Sequence, residues 1–562
     1  MWEALVREGV EVVFGYPGGA VLPIYDAMLE YPIHHVLTRH EQAAAHAADG
    51  YARASGKVGV ALATSGPGAS NLVTGIATAM LDSSPIVCIT GQVPSPLIGS
   101  DAFQELDVTG VTLPITKHNY LVMHAEDVGP TIREAFHIAR SGRPGPVLVD
   151  ISKDAQQGLV EFEFDDTPIQ LRGYRPDLRP LPETLQEALD LIQESKQPLI
   201  LAGNGVLLSG AMQTLRDFVD HTQIPVASTL LGLGCLPDEH RLNLGMLGMH
   251  GDAWVNTAVQ EADLLIACGM RFDDRVTGKL ATFAPNAKTI HIDIDPSEIN
   301  KIVKADVGIV GDLDEVLADL LPRVAEVKRE DWLRHIDTLR EDSAVRDILQ
   351  QPEDGRLFAP HVIHDLWKHT SGKATIVSDV GQHQMWAAQY YRHNEPYKMI
   401  TSGGLGTMGF AIPAAMGAWF ANPEEEIWVI VGDGGFQMSS AELATCVQEG
   451  VKLNIVLINN GYLGMVRQWQ EHFYDRRYSA TPLRGPDFVK LAEAHGIPAF
   501  RVEDRKDIEN ALNIVDDLPS TAVIEFRVEQ EDGVYPLVPA GADLMDMIRR
   551  PMPQEDKAGE TA

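Results

Sequence analysis

Three doubly wound α/β units in succession are the fold class this sequence predicts, on three observations. Its 562 residues exceed what a single core organises, and ordinary domain sizes give about three to four units. Short Val/Ile/Leu runs that end in Gly, Ser or Asp recur along the chain, and continuous apolar runs mark parallel strands buried on both faces. Helical stretches alternate with these runs, so each unit reads as a parallel sheet covered by helices on both sides.

The elements follow in order. The first unit, about 1–160, contains EVVFGYPGG, VGVALATSGPG, PIVCITG and PVLVDIS. The second, about 185–320, contains PLILAGNG, ADLLIACG and KTIHIDID. The third, about 358–540, contains ATIVSDVG, EIWVIVGDGG, KLNIVLINN and TAVIEFRV. The join DDTPIQLRGYRPDLRPLPET is polar and Pro-rich, and the second join, about 325–357, is highly charged and partly helical by its pattern. The tail PMPQEDKAGETA at 551–562 is expected to be mobile.

Composition closes off several function classes. A hydrophobic share of 45% and a charged share of 22% exclude disordered and fibrous chains. No run of some 18 apolar residues exists to cross a bilayer. MWEALVREGV reads as an amphipathic helix without the basic start and apolar stretch of a secretory leader, so a cytoplasmic location is the default. A net charge of −34 speaks against nucleic acid, whose phosphates need neutralising. It fits a solubilising acidic surface, salt adaptation or a basic partner. Cys88, Cys235, Cys268 and Cys446 are far apart and mostly inside apolar runs, as reduced core thiols would be, and make no Cys-rich zinc site.

The chemistry-bearing residues concentrate at strand ends. IWVIVGDGGFQ ends a strand at Gly432-Asp433-Gly434-Gly435, and the next strand, KLNIVLINN, ends at Asn459-Asn460. Open α/β sheets bind ligands at such carboxyl ends. Asp and Asn supply the anionic and neutral hard oxygens that Mg²⁺ prefers. The glycines let backbone N–H groups approach phosphate oxygens at a helix start. GDG alone also marks an ordinary strand-end turn; GDG followed by NN one strand–helix–strand unit later resembles the thiamine-diphosphate motif. That resemblance implies a Mg²⁺ held by Asp433, Asn460 and the main-chain carbonyl of Tyr462, bridging two phosphates. Gly404-Leu-Gly406-Thr-Met-Gly409 satisfies GxGxxG, but MITSG before it is a poor strand for a dinucleotide fingerprint. In thiamine enzymes a large apolar residue here bends the cofactor, a role that Met408 fits; a Met there is otherwise plain core.

Glu41 of TRHEQAAAHAADGYARASG stands where HHVLT gives way to a small-residue helix. Taken alone it complements a helix dipole. Its company, PGGAVLPIYDA before and SGPGASN and TGQ after, resembles thiamine enzymes, in which a buried Glu hydrogen-bonds the aminopyrimidine ring and promotes its activating tautomer. Since Glu41 and Asp433 lie in different units, the resemblance further implies a site shared between two subunits, hence an obligate homodimer or a tetramer.

FGYPGGAVLPIYDA, RHEQAAAHAADGYARASG, SGPGASNLVTGIA, GSDAFQELD, SGRPGPVLVDISKD, GMLGMHG, GMRFDDRVTG, DVGQHQMWAAQ, GLGTMGFAIPAAMGA and GMVRQWQ together resemble the acetolactate synthase (acetohydroxyacid synthase) large-subunit family across nearly the whole chain. The resemblance implies decarboxylation of pyruvate and joining of the remaining fragment to pyruvate or 2-ketobutyrate, the first common step of branched-chain amino-acid biosynthesis. It makes 1–160 the pyrimidine-binding unit, 185–320 a Rossmann-like FAD unit and 358–540 the diphosphate and metal unit. Carried over by motif, Glu41, Gly19, Gln104 and Lys153 are catalytic. Thiamine diphosphate contacts are Pro17, Pro67, Asn71, Val380, Gly381, Gln382, His383, Gly406, Met408, Gly432, Gly434, Gly435, Leu463, Gly464, Met465 and Val466, besides Glu41, Asp433, Asn460 and Tyr462. A non-redox FAD would touch Arg143, Gly203, Asn204, Gly205, Met249, His250, Gly269, Arg271, Asp273, Arg275, Val276, Asp293, Ile294 and Asp312. Without the family, RFDDR reads as a solvated charged loop.

Ketoacid contacts implied are Phe103, Gln104, Lys153, Met249, Arg275, Val466 and Trp469; an arginine can bind a carboxylate with two parallel hydrogen bonds. A large indole would favour 2-ketobutyrate only moderately, one methylene being worth about 1–3 kcal/mol. The family also implies a separate small regulatory subunit. Ala43-Ala44 depart from the Gly-Ala of many relatives. The rival readings are a thiamine–flavin oxidase such as pyruvate oxidase, which RFDDR, DAFQE and MVRQWQ oppose, a nicotinamide dehydrogenase, and a non-catalytic subunit, which intact Glu41, Asp433 and Asn460 oppose.

Overall fold

A computed structural model describes residues 1–551 except 162, 164–166, 177, 345–346 and 351–354. Beyond Pro551 the tail expected to be mobile lies outside the described residues.

Eighteen strands form three six-stranded parallel sheets among the described residues. The first holds β1 (Val12–Tyr16), β2 (His34–Leu37), β3 (Gly59–Ala63), β4 (Ile86–Gln92), β5 (His118–Val122) and β6 (Val147–Ser152), in the order β2-β1-β3-β4-β6-β5. The second holds β7 (Pro198–Ala202), β8 (Val226–Ser228), β9 (Asn243–Met246), β10 (Leu264–Cys268), β11 (Lys288–Asp293) and β12 (Val307–Val310). Its order, β12-β11-β10-β7-β8-β9, is the dinucleotide-binding winding, with its switch point between β7 and β10. The third holds β13 (Thr375–Ser378), β14 (Met399–Thr401), β15 (Ile427–Gly432), β16 (Asn454–Asn459), β17 (Ala499–Val502) and β18 (Ala522–Arg527), in the order β14-β13-β15-β16-β18-β17. The first and third sheets are therefore wound alike.

Many interior strands are buried along their whole length: β3, β4, β6, β7, β10 and β15 expose no residue. This is the texture that their continuous apolar runs imply. Edge strands differ; β5 and β17 each bury a single residue fully.

Two small-residue helices join the first and third sheets. Helix Glu41–Ser55, after β2, packs on helix Ala411–Ala421, after β14. Close approach rests on glycine: a Cβ at Gly50 would overlap the Ala414 carbonyl, and one at Gly417 the Ala47 carbonyl. Both helices are Ala-rich, so their backbones meet without side-chain bulk between them.

Residues of all three units meet at Asp82. Its buried carboxylate accepts from Arg53 Nη2 at 2.8 Å and from the backbone N–H groups of Gly403 (3.1 Å) and Gly404 (2.6 Å). Arg53 also donates to Asp49 at 2.7 Å and to the Thr401 carbonyl at 2.8 Å. Asn204 Nδ2, just after β7, donates to the Asp82 carbonyl at 3.1 Å. The four cysteines are buried and unpaired.

Candidate active site

Nearly every residue singled out above sits just past the carboxyl end of a strand. On the first sheet, Pro17 and Gly19 follow β1, Glu41 follows β2, Pro67 and Asn71 follow β3, Phe103 and Gln104 follow β4, and Lys153 follows β6. On the third, Val380 to His383 follow β13, Gly406 and Met408 follow β14, Asp433 follows β15, and Asn460 to Val466 follow β16. Arg143 is the exception, lying before β6 at the opposite end of its sheet.

Asp433 and Asn460 end paired strands; Gly432 of β15 stands opposite Ile458 of β16. Both side chains are buried, at 4% and 8% exposure. Asp433 forms no ion pair among the described residues, and burial pushes its carboxyl up to about 7. An acidic oxygen buried without a cation, beside an amide oxygen, suits a hard divalent ion. The Asn460 amide is aligned by donating to Gln382 Oε1 (3.2 Å), while its oxygen accepts from Tyr462 N–H (3.1 Å).

The floor beside this pair has no room for side chains. A Cβ at Gly434 would stand 2.9 Å from Leu463 Cδ2 and 3.1 Å from Met408 Cε, and one at Gly432 would stand 2.8 Å from His383 Cε1. At Gly464 a Cβ would overlap Gln382 Oε1. His383 is buried, its Nε2 has no partner among the described residues, and burial lowers its pKa to about 3. A bare cradle, an uncompensated carboxylate and an orphaned ring nitrogen fit a metal-bound diphosphate.

Asp379, which the motifs did not single out, organises the neighbouring turn. Its carboxylate accepts from Val380, Gly409 and Ala411 N–H at 2.8, 3.0 and 3.0 Å. Burial still holds its pKa at about 6. The signal was available, since Asp379 follows β13 as Asp433 follows β15.

On the first sheet, Glu41 opens its helix, and its Oε2 accepts from Asn71 Nδ2 at 2.9 Å. Its Oε1 faces Gly68, where a Cβ would lie 3.3 Å away. Gln104 has a left-handed φ of 59°, and its carbonyl lies where a Cβ of Gly66 would come to 2.7 Å. Phe103 is 89% exposed. Lys153 opens helix Lys153–Gln157.

A cleft of about 1820 Å³ runs from the second sheet to the third. At the β7/β10 switch point the strand-end loops touch: Gly203 N–H donates to the Cys268 carbonyl (2.9 Å), and Gly205 N–H to the Gly269 carbonyl (3.0 Å). Asn204, His250, Arg271, Asp273, Val276, Ile294 and Asp312 also line this cleft. Burial pushes the Asp293 carboxyl, at the end of β11, up to about 6. Asp273 and Asp312 cap helices, accepting from Val276 N–H (3.2 Å) and Asp314 N–H (3.0 Å). Arg143 crosses from the first unit, donating to Ser83 Oγ (2.9 Å), Asp295 (3.2 Å) and Glu298 (2.7 Å).

Arg275 reaches Met249 Sδ at 3.3 Å, and both face the cleft with Val380, Gly381, Gly406, Met408, Met465, Val466 and Trp469. Trp469 packs edge-on against Phe473, with centroids 5.4 Å apart. Arg477, Tyr474 and Ser83 line it too and had no motif to mark them. Among the described residues, Pro17, Gly19, Glu41, Pro67, Asn71, Phe103, Gln104 and Lys153 of the same chain do not line the cleft.

Three family models match: "Thiamine pyrophosphate enzyme, N-terminal TPP binding domain" over residues 1–111, the "central domain" over 185–320, and the "C-terminal TPP binding domain" over 379–526. Acetolactate synthase of Mycobacterium bovis is 50% identical over 558 residues, covering 96% of this chain and 90% of that protein. The acetolactate synthase large subunit of Corynebacterium glutamicum is 49% identical over 97% of this chain and 89% of its own. A probable acetolactate synthase large subunit of Methanocaldococcus jannaschii is 48% identical over 97% and 94%.

Proposed function

The chain belongs to the acetolactate synthase large-subunit family of thiamine pyrophosphate enzymes, and from that premise we propose how its residues divide the work. It is a thiamine-diphosphate-dependent carboligase. It decarboxylates pyruvate and joins the two-carbon remainder to pyruvate or 2-ketobutyrate, giving 2-acetolactate or 2-aceto-2-hydroxybutyrate for branched-chain amino-acid biosynthesis.

When bound, thiamine diphosphate supplies a nucleophilic carbon and an electron sink for the loss of carbon dioxide. The observation that carries the residue assignment is buried Asp433, without an ion-pair partner among the described residues, beside Asn460 on neighbouring strand ends. We assign these two, with the Tyr462 carbonyl, to Mg²⁺. Gly432, Gly434, Gly435, Gln382, His383 and Gly464 bound the diphosphate cradle. Glu41, held through Oε2 by Asn71, keeps Oε1 available to share a proton with the aminopyrimidine, with Pro17, Gly19 and Pro67 around it. Met408, whose Cε would lie 3.1 Å from a Cβ at Gly434, would give the bound cofactor its apolar support.

The pyrimidine, FAD and diphosphate roles are assigned to 1–160, 185–320 and 358–540, respectively. FAD in a non-redox role suits the second sheet's winding and its touching Gly loops, with Asp293 at the end of β11. Arg275 holds the ketoacid carboxylate, and Met249, Val466 and Trp469 shape the space for the second ketoacid. Phe103, Gln104 and Lys153 approach that space from another copy of the chain.

This division makes the working unit a homodimer or tetramer. Its support is that Glu41 and its neighbours do not line the same chain's cleft, and that Phe103 stands almost bare. A small regulatory subunit and a cytoplasmic location complete the reading; no described helix is long and apolar enough to cross a membrane.

The test is product analysis with pyruvate alone and with 2-ketobutyrate, with and without added thiamine diphosphate, Mg²⁺ and FAD. Acetolactate formed without oxygen uptake is expected. Oxygen-dependent acetyl phosphate or acetate would replace the reading with an oxidase.

A further inference from the structure

Away from the large cleft lies a second cavity of about 250 Å³, at the seam between the second and third units. Four arginines line it: Arg340 of helix Glu330–Ala344, Arg392 after helix Gln382–Tyr390, and Arg549 and Arg550 near the end of the described chain. Such convergence stands out in a chain of net charge −34, where acidic residues outnumber basic ones.

Three of these guanidinium groups are held against rings. Arg340 lies over Trp254 at 5.9 Å, Arg392 over Trp367 at 4.7 Å, and Arg550 over Tyr535 at 5.3 Å. Stacking fixes the plane of a guanidinium and leaves its N–H edge pointing outward to bond, as at Arg340 and Arg392. Arg550 donates to Asp532 at 2.7 Å and to the Gly533 carbonyl at 3.4 Å. Arg340 donates once, to the Asn243 carbonyl at 3.2 Å. Among the described residues neither Arg340 nor Arg392 forms an ion pair. The carboxyl groups in the wall are Asp252 and Asp347, two against four guanidinium groups, and burial pushes the Asp252 carboxyl up to about 7.

We propose that this cavity binds a small multivalent oxyanion, gripped by the N–H edges of Arg340 and Arg392 with Arg549 and Arg550 beside them. Planar forks suit phosphoryl and carboxylate oxygens, to which they bond in parallel pairs. The volume admits a compact anion and is too small for a dinucleotide. The wall also touches the large cleft: Gln389, which lines the second cavity, donates to the His250 carbonyl at 2.8 Å and to the Tyr535 carbonyl at 3.2 Å.

The experiment is calorimetric titration of the holoenzyme, saturated with its cofactors, with inorganic phosphate, with tricarballylate, and with chloride at equal ionic strength. Arg340→Gln/Arg392→Gln and a control, Arg216→Gln, are titrated alongside, with circular dichroism to verify folding. Saturable binding of phosphate or tricarballylate but not chloride is expected, weakened roughly tenfold or more in the double variant only. Arg340→Lys/Arg392→Lys keeps the charge and loses the fork, and should fall between. The stronger of the two anions identifies a phosphoryl or a carboxylate ligand. Equal responses to all three salts, or undiminished binding by the folded double variant, would overturn the proposal.

Discussion

Gly50 and Ala414 face each other across the helix pair that binds the first unit to the third, with no space for even a methyl group between Gly50 Cα and the Ala414 carbonyl. Replacing Gly50 with Ala therefore forces two backbones apart at the centre of the molecule. Overpacking of this kind costs about 1–3 kcal/mol. A lower midpoint in chemical denaturation is expected for Gly50→Ala, and a comparable loss for Gly417→Ala. An unchanged midpoint in both would mean that the helices slide without cost.

Asp82 predicts a second loss. Asp82→Ala leaves Arg53 with a poorer set of partners and strips the Gly403 and Gly404 N–H groups of their acceptor. Removing one partner of a buried pair typically costs about 3–5 kcal/mol. Asp82→Asn, which keeps an oxygen, should lose less. Thermal unfolding of the two variants side by side ranks them.

Catalysis gives the third. Glu41→Gln should fold and retain thiamine diphosphate while turnover falls by about 10²–10⁴, whereas Asp433→Ala should lose metal-dependent retention of the cofactor. Neither variant alone should work. Unfolded, mixed and reassociated, the two should recover roughly a quarter of wild-type activity, because a twofold dimer then contains one intact site in half its copies. A mixture as inactive as its components would place both residues in a site built by one chain.

Asp150 supplies a pH dependence away from the proposed site. It is buried in β6, accepting from Thr90 Oγ1 at 2.7 Å and Gln92 Nε2 at 3.0 Å, and burial pushes its carboxyl up to about 7 from an ordinary 3.8. Below the ordinary value both folded and unfolded chains hold the proton, and the group's stabilising contribution is complete. As pH rises through about 7 that contribution is lost, because only the folded chain has been retaining the proton. Asp150→Asn removes the dependence. Denaturation near pH 5 and near pH 8 should show the wild type losing ground to Asp150→Asn at the higher pH; a constant difference would mean the carboxyl ionises normally in the fold.

How much of this was legible beforehand depended on where each element sits. Central strands such as β3 and β15 announce themselves because both faces are buried and their residues are apolar. Edge strands such as β5 (HNYLV) and β17 (AFRV) carry no such run, since their outer residues face water. Motifs marked Asp433, Asn460 and Glu41 because their chemistry is local to a strand end. Asp82 and Arg53 act through partners 321 and 348 residues away in the chain, and no local pattern encodes that. The arginine-lined cavity was hidden for the same reason: its four arginines come from three separate segments.

The like winding of the first and third sheets carries one more consequence. Helix Glu41–Ser55 and helix Ala411–Ala421 occupy the same place in their respective units, each following the second strand, and they pack on each other. A lone chain thus contains an approximate internal dyad, as if two sibling units had dimerised before the polypeptide joined them. The self-association proposed above would add a true axis to a molecule that already carries an imperfect one, and any face shared by both siblings would be offered twice.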